Sequence, residues 1–140
     1  MSLFAHIIDG PMTPATEAAA IASAPSEFAA VGSGGDVGAV VRFEGIVRRV
    51  ESGRDLLALE YQTYDPMALR ELERLAGIVR ETHGLKSLMV LHSRGRVGVS
   101  ECSFVLVVRA EHRAGALRAV GEFIDRMKQD VPIWKRPIWA

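Results

Sequence analysis

Apolar residues recur at two different spacings along this chain, and the switching between them limits the fold more than any single residue does. Leu69, Leu72, Leu75, Ala76 and Val79 lie on one helical stripe, and Leu117, Val120, Ile124 and Met127 lie on another at intervals of three and four. Elsewhere the period is two. Val37 to Val50 is β-rich, Glu51-Ser52-Gly53-Arg54 makes a turn, and Leu56 to Tyr61 returns as a hairpin partner. Two or three further strands run from Ser87 to Arg109. Strands interleaved with amphipathic helices, with no internal repeat and no interdomain linker, predict a single α+β domain.

Local punctuation places the ends of these elements. Thr13-Pro14 has the residue types of an N-cap and first turn for an alanine-rich helix that Pro25 should end, and Gly32-Ser33-Gly34-Gly35 follows as a loop. Asp65-Pro66 is expected to cap the second helix and Gly84 to stop it. The last helix starts near Glu111 and ends at Val131-Pro132, because a residue before proline is pushed out of the helical region. With 140 residues, 49% of them hydrophobic, the chain can bury one core.

Charge excludes several function classes. Seventeen basic and seventeen acidic residues cancel, and no block of like charge appears, so the basic field that nucleic-acid binding needs is missing. The apolar runs are short and interrupted by charge, which predicts no membrane span, and residues 1–10 lack the features of a signal peptide. Cytoplasmic residence is the default expectation. A single cysteine, Cys102, excludes an internal disulfide, and alternation assigns it to a buried face with Phe104, Leu106 and Val108. His6, His83, His92 and His112 lack the close spacing of metal ligands, so no metal is expected.

Only three of the seventeen basic residues are lysines, and two of them, Lys128 and Lys135, bracket Gln129-Asp130-Val131-Pro132-Ile133-Trp134. A lysine can lose its proton in a dry pocket and act as base, nucleophile or proton donor, whereas arginine stays protonated. Lys128 falls at the edge of the last apolar stripe, seven residues after Gly121. Partial desolvation there would lower its pKa, but a snorkelling lysine with a wet ammonium fits the same spacing. His112-Arg113 opens the same helix, where the dipole is positive and cations are unfavourable unless an anion is bound. The alternative is a solvent-screened pair balanced by Glu111. Arg48 and Arg49 close the first long strand and read either as edge charges or as part of an anion site.

Several segments carry a family resemblance in their order and spacing: Gly38-Ala39, Phe43-Glu44-Gly45-Ile46-Val47-Arg48, Leu59-Glu60-Tyr61, Tyr64-Asp65-Pro66-Met67-Ala68, Glu111-His112-Arg113, and Lys128 through Val131-Pro132-Ile133-Trp134-Lys135. The chain resembles the large catalytic subunit of molybdopterin synthase, the MoaE family. The resemblance implies an α/β-hammerhead fold with an additional antiparallel β-sheet subdomain. Within one domain, residues 1–140, it sets apart an N-terminal strand, helix and loop at 1–36 and a family core at 37–136. It further implies a sulfurtransferase that takes sulfur from the C-terminal thiocarboxylate of a small ubiquitin-like carrier subunit ending in Gly-Gly. The acceptor would be cyclic pyranopterin monophosphate, and two transfers would create the dithiolene of molybdopterin. No cofactor is implied, and the assembly would be a homodimer within a heterotetramer.

By the same resemblance Lys128 is the principal catalytic residue, and Lys135 positions the substrate or assists proton transfer. Ile46, Val47, Arg48, His112, Arg113, Lys128, Lys135, Arg136 and Pro137 match substrate-binding segments, with Arg48, His112 and Arg113 open to contribution from a second protomer. The sequence departs from the family pattern at His92-Ser93-Arg94-Gly95 and at Ser100-Glu101, both expected away from the lysine motif. It also ends at Trp139-Ala140, where relatives often continue into a further tryptophan-containing segment. From the residues alone, a Schiff-base enzyme acting on a phosphorylated carbonyl compound and a non-catalytic interaction subunit remain as other function classes.

Overall fold

The longest strand, Ser87–Gly98, divides its hydrogen bonds between the two ends of one sheet. In the computed structural model, which describes residues 2–140, the elements run β1 (Leu3–Asp9), α1 (Pro14–Ile21), α2 (Ser26–Ala29), β2 (Ala39–Ile46), β3 (Val50–Glu51), β4 (Arg54–Thr63), α3 (Met67–Thr82), β5 (Ser87–Gly98), β6 (Cys102–Ala110), α4 (Arg113–Asp130) and β7 (Ile133–Trp139). Met1, with which the expected 1–140 domain begins, lies outside the described residues. The first half of β5 pairs in parallel with β1 and antiparallel with β6, while Gly95–Gly98 pairs with β4, which also holds β7. The sheet order is β2-β6-β5-β4-β3, with β1 on β5 and β7 on β4. The expected α+β architecture is present, and β4, β7 and the far end of β5 form its additional antiparallel part.

Both faces of the β5–β6 pair are covered, which explains why these strands read as nearly continuous apolar runs. On one face α3 contributes Leu72, Leu75, Ala76 and Val79, and α4 contributes Ala119, Val120, Phe123 and Met127, against Leu88, Val90, Leu106 and Val108. On the other, Phe4, Ile8, Met12 and Phe28 cover Met89, Leu91, Val105 and Val107. Each fully buried leucine or phenylalanine in these layers stabilises the fold by about 1.5–3 kcal/mol relative to exposure. A third cluster, Val47, Leu56, Leu59 and Val97, anchors the far end of the sheet.

Several local expectations hold. Thr13 caps α1: its hydroxyl accepts from the Thr16 backbone N–H at 3.1 Å, and Thr16 Oγ1 accepts from the Thr13 N–H in return. Gly84, just past α3, takes a positive φ of 60°, which glycine adopts without steric cost.

Others are corrected. Val37 to Val50 is not one strand and does not form a hairpin with Leu56 to Tyr61. β2 stops at Ile46 and pairs with β6, and only Val50–Glu51 pairs with β4 across a turn in which Ser52 and Gly53 have φ of 51° and 75°. The intervening Val47 instead donates its N–H to the Glu101 carbonyl. α1 ends at Ile21, before Pro25, which initiates the short α2. Asp65 provides no side-chain cap to α3; its carboxylate accepts from Thr63 and Arg94. Leu117 is 58% exposed, since the smaller Ala116 and Ala119 and the bulky Phe123 occupy the buried face of α4.

Cys102 also departs from expectation. Gly45 opposes Phe104 but Ile46 opposes Cys102, so Ser103 is an extra residue in β6. The bulge shifts the side-chain alternation, and Cys102 packs half-buried with the cluster opposite to that of Phe104. Burial still pushes its thiol pKa up.

Candidate active site

Where α4 ends, the chain turns into a strand and opens a cavity. Val131 is already extended, with φ −90° and ψ 127°, as expected for a residue before proline. β7 then runs antiparallel to β4 with Lys135 opposite Tyr61, and the Pro132 carbonyl accepts from the Tyr64 N–H at 3.1 Å. The cavity between α4, β7 and the sheet has a volume of about 600 Å³. Its apolar floor includes Leu59, Ile124, Met127 and Ile133, and aromatic side chains of Phe43, Tyr61, Phe104 and Trp134 wall it. Arg48, Glu51, Lys128 and Lys135 supply its charge.

The two lysines that the sequence singles out therefore line one space. Lys128 reaches it from the last turn of α4 and Lys135 from β7. Lys135 Nζ lies 3.2 Å from a Glu51 carboxylate oxygen, with the two side chains 53% and 27% exposed. Lys128 is also solvent-exposed. Gly121 does not serve the site: it is exposed, and a Cβ built there meets no atom within 4 Å.

The β6 bulge shapes the inner wall. It directs Ser103 as well as Phe104 toward the cavity, and the Tyr61 hydroxyl donates to Ser103 Oγ at 3.0 Å. Gly45 eases the same close approach, because a Cβ on it would lie a tight 3.2 Å from the Phe104 Cβ. Beside them, His92 is only 5% exposed and meets Tyr61 edge-on, with ring centroids 5.2 Å apart. Burial holds the His92 imidazole pKa below its ordinary value.

Of the residues indicated by sequence, Ile46, Val47, Arg48, Lys128 and Lys135 line the cavity. His112, Arg113, Arg136 and Pro137 do not line it in this chain. His112 occupies the N-cap position of α4 beside Glu111 at 3.4 Å, and Arg113 begins the helix. At a rise of about 1.5 Å per residue, Arg113 and Lys128 are about 22 Å apart along the helix axis. Arg136 and Pro137 sit opposite Glu60 and Leu59 on β4.

Contrary to the expectation from sequence that both lie away from the lysine motif, His92 and the Ser100-Glu101 turn are close to it. His92 lines the same cavity, and Val47, another lining residue, exchanges backbone hydrogen bonds with Ser100 and Glu101. Tyr61, Ser103 and Glu51 were also missed as site residues; only Tyr61 had a signal, in the family-like segment Leu59-Glu60-Tyr61. A second, more open depression of about 500 Å³, near Arg80 and Lys86, contains neither Lys128 nor Lys135. Among the described residues, no group of three or more His, Cys, Asp and Glu side chains is placed to hold a metal ion, and no helix is long and apolar enough to cross a membrane.

Comparison with known proteins places this geometry in a family. The human molybdopterin synthase catalytic subunit is 39% identical over 102 residues, covering 73% of this chain and 54% of its own length. The Bacillus subtilis protein of the same name is 36% identical over 104 residues, covering 74% of this chain and 66% of its own. This chain spans about half the length of the mammalian relatives it matches. The crystal structure of molybdopterin synthase from Staphylococcus aureus superposes with a TM-score of 0.75 at 31% identity, covering 96% of this chain and 90% of that one. A complex of subunits 1 and 2 of molybdopterin-converting factor from Helicobacter pylori gives 0.70 at 25% identity, covering 100% and 90%. The MoaE protein family profile matches residues 16–130, which span β2 to β6, α3 and all of α4 with Lys128 but not β1 or β7, and the chain belongs to that family.

Proposed function

We propose that this chain is the catalytic subunit of a molybdopterin synthase and transfers sulfur to cyclic pyranopterin monophosphate. The sulfur comes from the C-terminal thiocarboxylate of a small ubiquitin-like carrier subunit. The observation that carries this reading is the convergence of Lys128, Lys135 and Arg48 on one aromatic-walled cavity in a MoaE-family chain.

The chemistry needs positive charge in fixed positions. As the thiocarboxylate carbon gives up its sulfur it passes through an anionic tetrahedral state, and the substrate carries a phosphate. Lys128, on the last turn of a helix, serves as the principal catalytic amine, able both to offset that charge and to move a proton. Lys135, steadied by Glu51, positions the substrate beside the carrier tail. The thiocarboxylate sulfur bonds to a substrate carbon as a carbon–oxygen bond there breaks and that oxygen leaves. Water then cleaves the resulting thioester to free the carrier tail as a carboxylate, and two rounds build the dithiolene.

His112 and Arg113 bind the substrate phosphate from the second protomer of a homodimer, which accounts for their distance from the lysines of their own chain. Each end of the dimer takes one carrier, giving a two-plus-two heterotetramer. The test is reconstitution with thiocarboxylated carrier and cyclic pyranopterin monophosphate. Dithiolene product at a rate dependent on Lys128 supports the proposal; absence of transfer by a folded, carrier-bound protein refutes it. Borohydride trapping of a substrate–lysine adduct would favour the Schiff-base class instead.

A further inference from the structure

The cavity is rich in hydrogen-bond donors and poor in free acceptors. Arg48, Lys128 and Lys135 can only donate when charged. Glu51 is ion-paired with Lys135, and the Tyr61 hydroxyl gives its proton to Ser103. His92 is different. Its Nδ1 lies 2.7 Å from the Ser93 carbonyl oxygen, and a carbonyl can only accept, so Nδ1 carries the ring proton. Nε2 of the neutral ring is then an acceptor, and among the described residues no protein group hydrogen-bonds it.

Three features make this nitrogen a ligand contact. His92 is only 5% exposed, yet its unpartnered Nε2 is not among the fully enclosed polar atoms, which are Arg80 Nε and Ser93 Oγ, so it keeps some accessible surface through which a ligand can reach it. The cavity is the open space it lines, between the ring of Tyr61 at 5.2 Å and that of Phe104 at 5.8 Å between centroids. The charged groups facing that space are Arg48, Lys128, Lys135 and Glu51, and it is burial that favours the neutral, accepting imidazole, against the opposing hydrogen bond to the Ser93 carbonyl. Flat aromatic walls with an uncharged ring-nitrogen acceptor beside the Tyr61 and Ser103 hydroxyls suit a planar nitrogen heterocycle carrying N–H donors, rather than another anion.

We propose that His92 is a positioning residue whose Nε2 accepts a hydrogen bond from an N–H of the substrate heterocycle in this cavity. The inference rests on the sulfur-transfer reading of the site, but its binding test does not require turnover. Nitrogen NMR of the wild-type protein should show His92 neutral with the proton on Nδ1, and the unprotonated Nε2 resonance should move when cyclic pyranopterin monophosphate is added without carrier. No movement at saturating substrate overturns the proposal, as does a resting tautomer with the proton on Nε2.

Variants give a second measurement in the reconstituted enzyme. His92→Phe keeps a ring but removes the acceptor, and should raise KM for the pyranopterin about tenfold with kcat changed much less. His92→Gln, which can offer an amide oxygen, should recover most of that loss. A His92→Phe protein that is folded and has unchanged KM overturns the assignment, and so does a fall in kcat alone, which would make the residue a proton-transfer group. If neither variant folds, the wild-type NMR titration decides. Failure of the sulfur-transfer reading looks different: the nitrogen shift would persist while the folded, carrier-bound wild-type protein transferred no sulfur.

Discussion

Lys135 and Glu51 join β7 to the two-residue strand β3 through a 3.2 Å ion pair beside the cavity. Both side chains are at least a quarter exposed, so screening limits the pair to about 0–1 kcal/mol of stability. Its value lies in holding one ammonium in place. Glu51→Gln should leave the thermal midpoint nearly unchanged and lower sulfur transfer by roughly three- to tenfold. Wild-type kinetics in this variant would show that Lys135 needs no such restraint.

Lys128→Ala should nearly abolish transfer while carrier binding and fold survive, because an exposed position in the last turn of a helix accepts alanine readily. Lys128→Arg should fail almost as badly, since it keeps the charge and loses the titratable amine. Activity within about twofold of wild type in the alanine variant would remove Lys128 from the mechanism. A rescued arginine variant would reduce its role to charge.

Arg113 lies at the opposite end of α4 from Lys128, about 22 Å away at helical rise. If it serves the partner's site, Arg113→Ala should weaken substrate binding by roughly 1.5–3 kcal/mol and barely alter carrier affinity, as calorimetry can resolve. Mixing inactive Lys128→Ala and Arg113→Ala proteins should then restore some intact sites in heterodimers. Verified subunit exchange without recovered activity would confine each complete site to one chain.

Two glycines offer opposite tests of packing. A Cβ on Gly38 would collide with the Glu111 carbonyl oxygen, so Gly38→Ala should destabilise the protein by about 1–3 kcal/mol in denaturant titration. Gly121 is in the exposed interior of α4 with open space around it, and Gly121→Ala should stabilise by about 0.5–1 kcal/mol. Equal effects at the two positions would contradict the close approach of Gly38 to the start of α4.

Stability should also depend on His92 in mildly acidic solution. Its folded pKa is depressed by burial from the ordinary value of 6.5, so below that value the unfolded chain binds the proton first. The His92 contribution is complete above pH 6.5 and is lost as pH falls toward the lowered folded value. Asp9 and Glu17, held below their ordinary 3.8 and 4.5 by Arg94 and Arg42, lose their contributions at more acidic pH. His92→Gln should therefore flatten the stability profile just below pH 6.5 and leave the steeper acid limb in place. An unchanged slope in that window, measured by urea unfolding, would exclude His92 as its source.

What the sequence by itself determined was local. The stripe of α3, that of α4 apart from Leu117, the Thr13 cap, the glycine stop at Gly84 and the helix break before Pro132 each depend on neighbours within a few residues, so spacing and residue type suffice to read them. That local break places Lys128 at a helix end and Lys135 on an extended segment. Tertiary structure decided the rest. Strand pairing joins remote segments, and β-rich composition does not say which: β2 pairs with β6 rather than with β4, and β7 takes a β4 edge in its place. The one-residue bulge at Ser103 reversed the face of Cys102 and built the wall shared with Tyr61, because a side-chain period of two turns any inserted residue into a change of side. His92 had as its sequence signal only the family-pattern segment His92-Ser93-Arg94-Gly95, expected away from the lysines, and became part of the site only when β4, β5 and β6 were laid side by side beneath them.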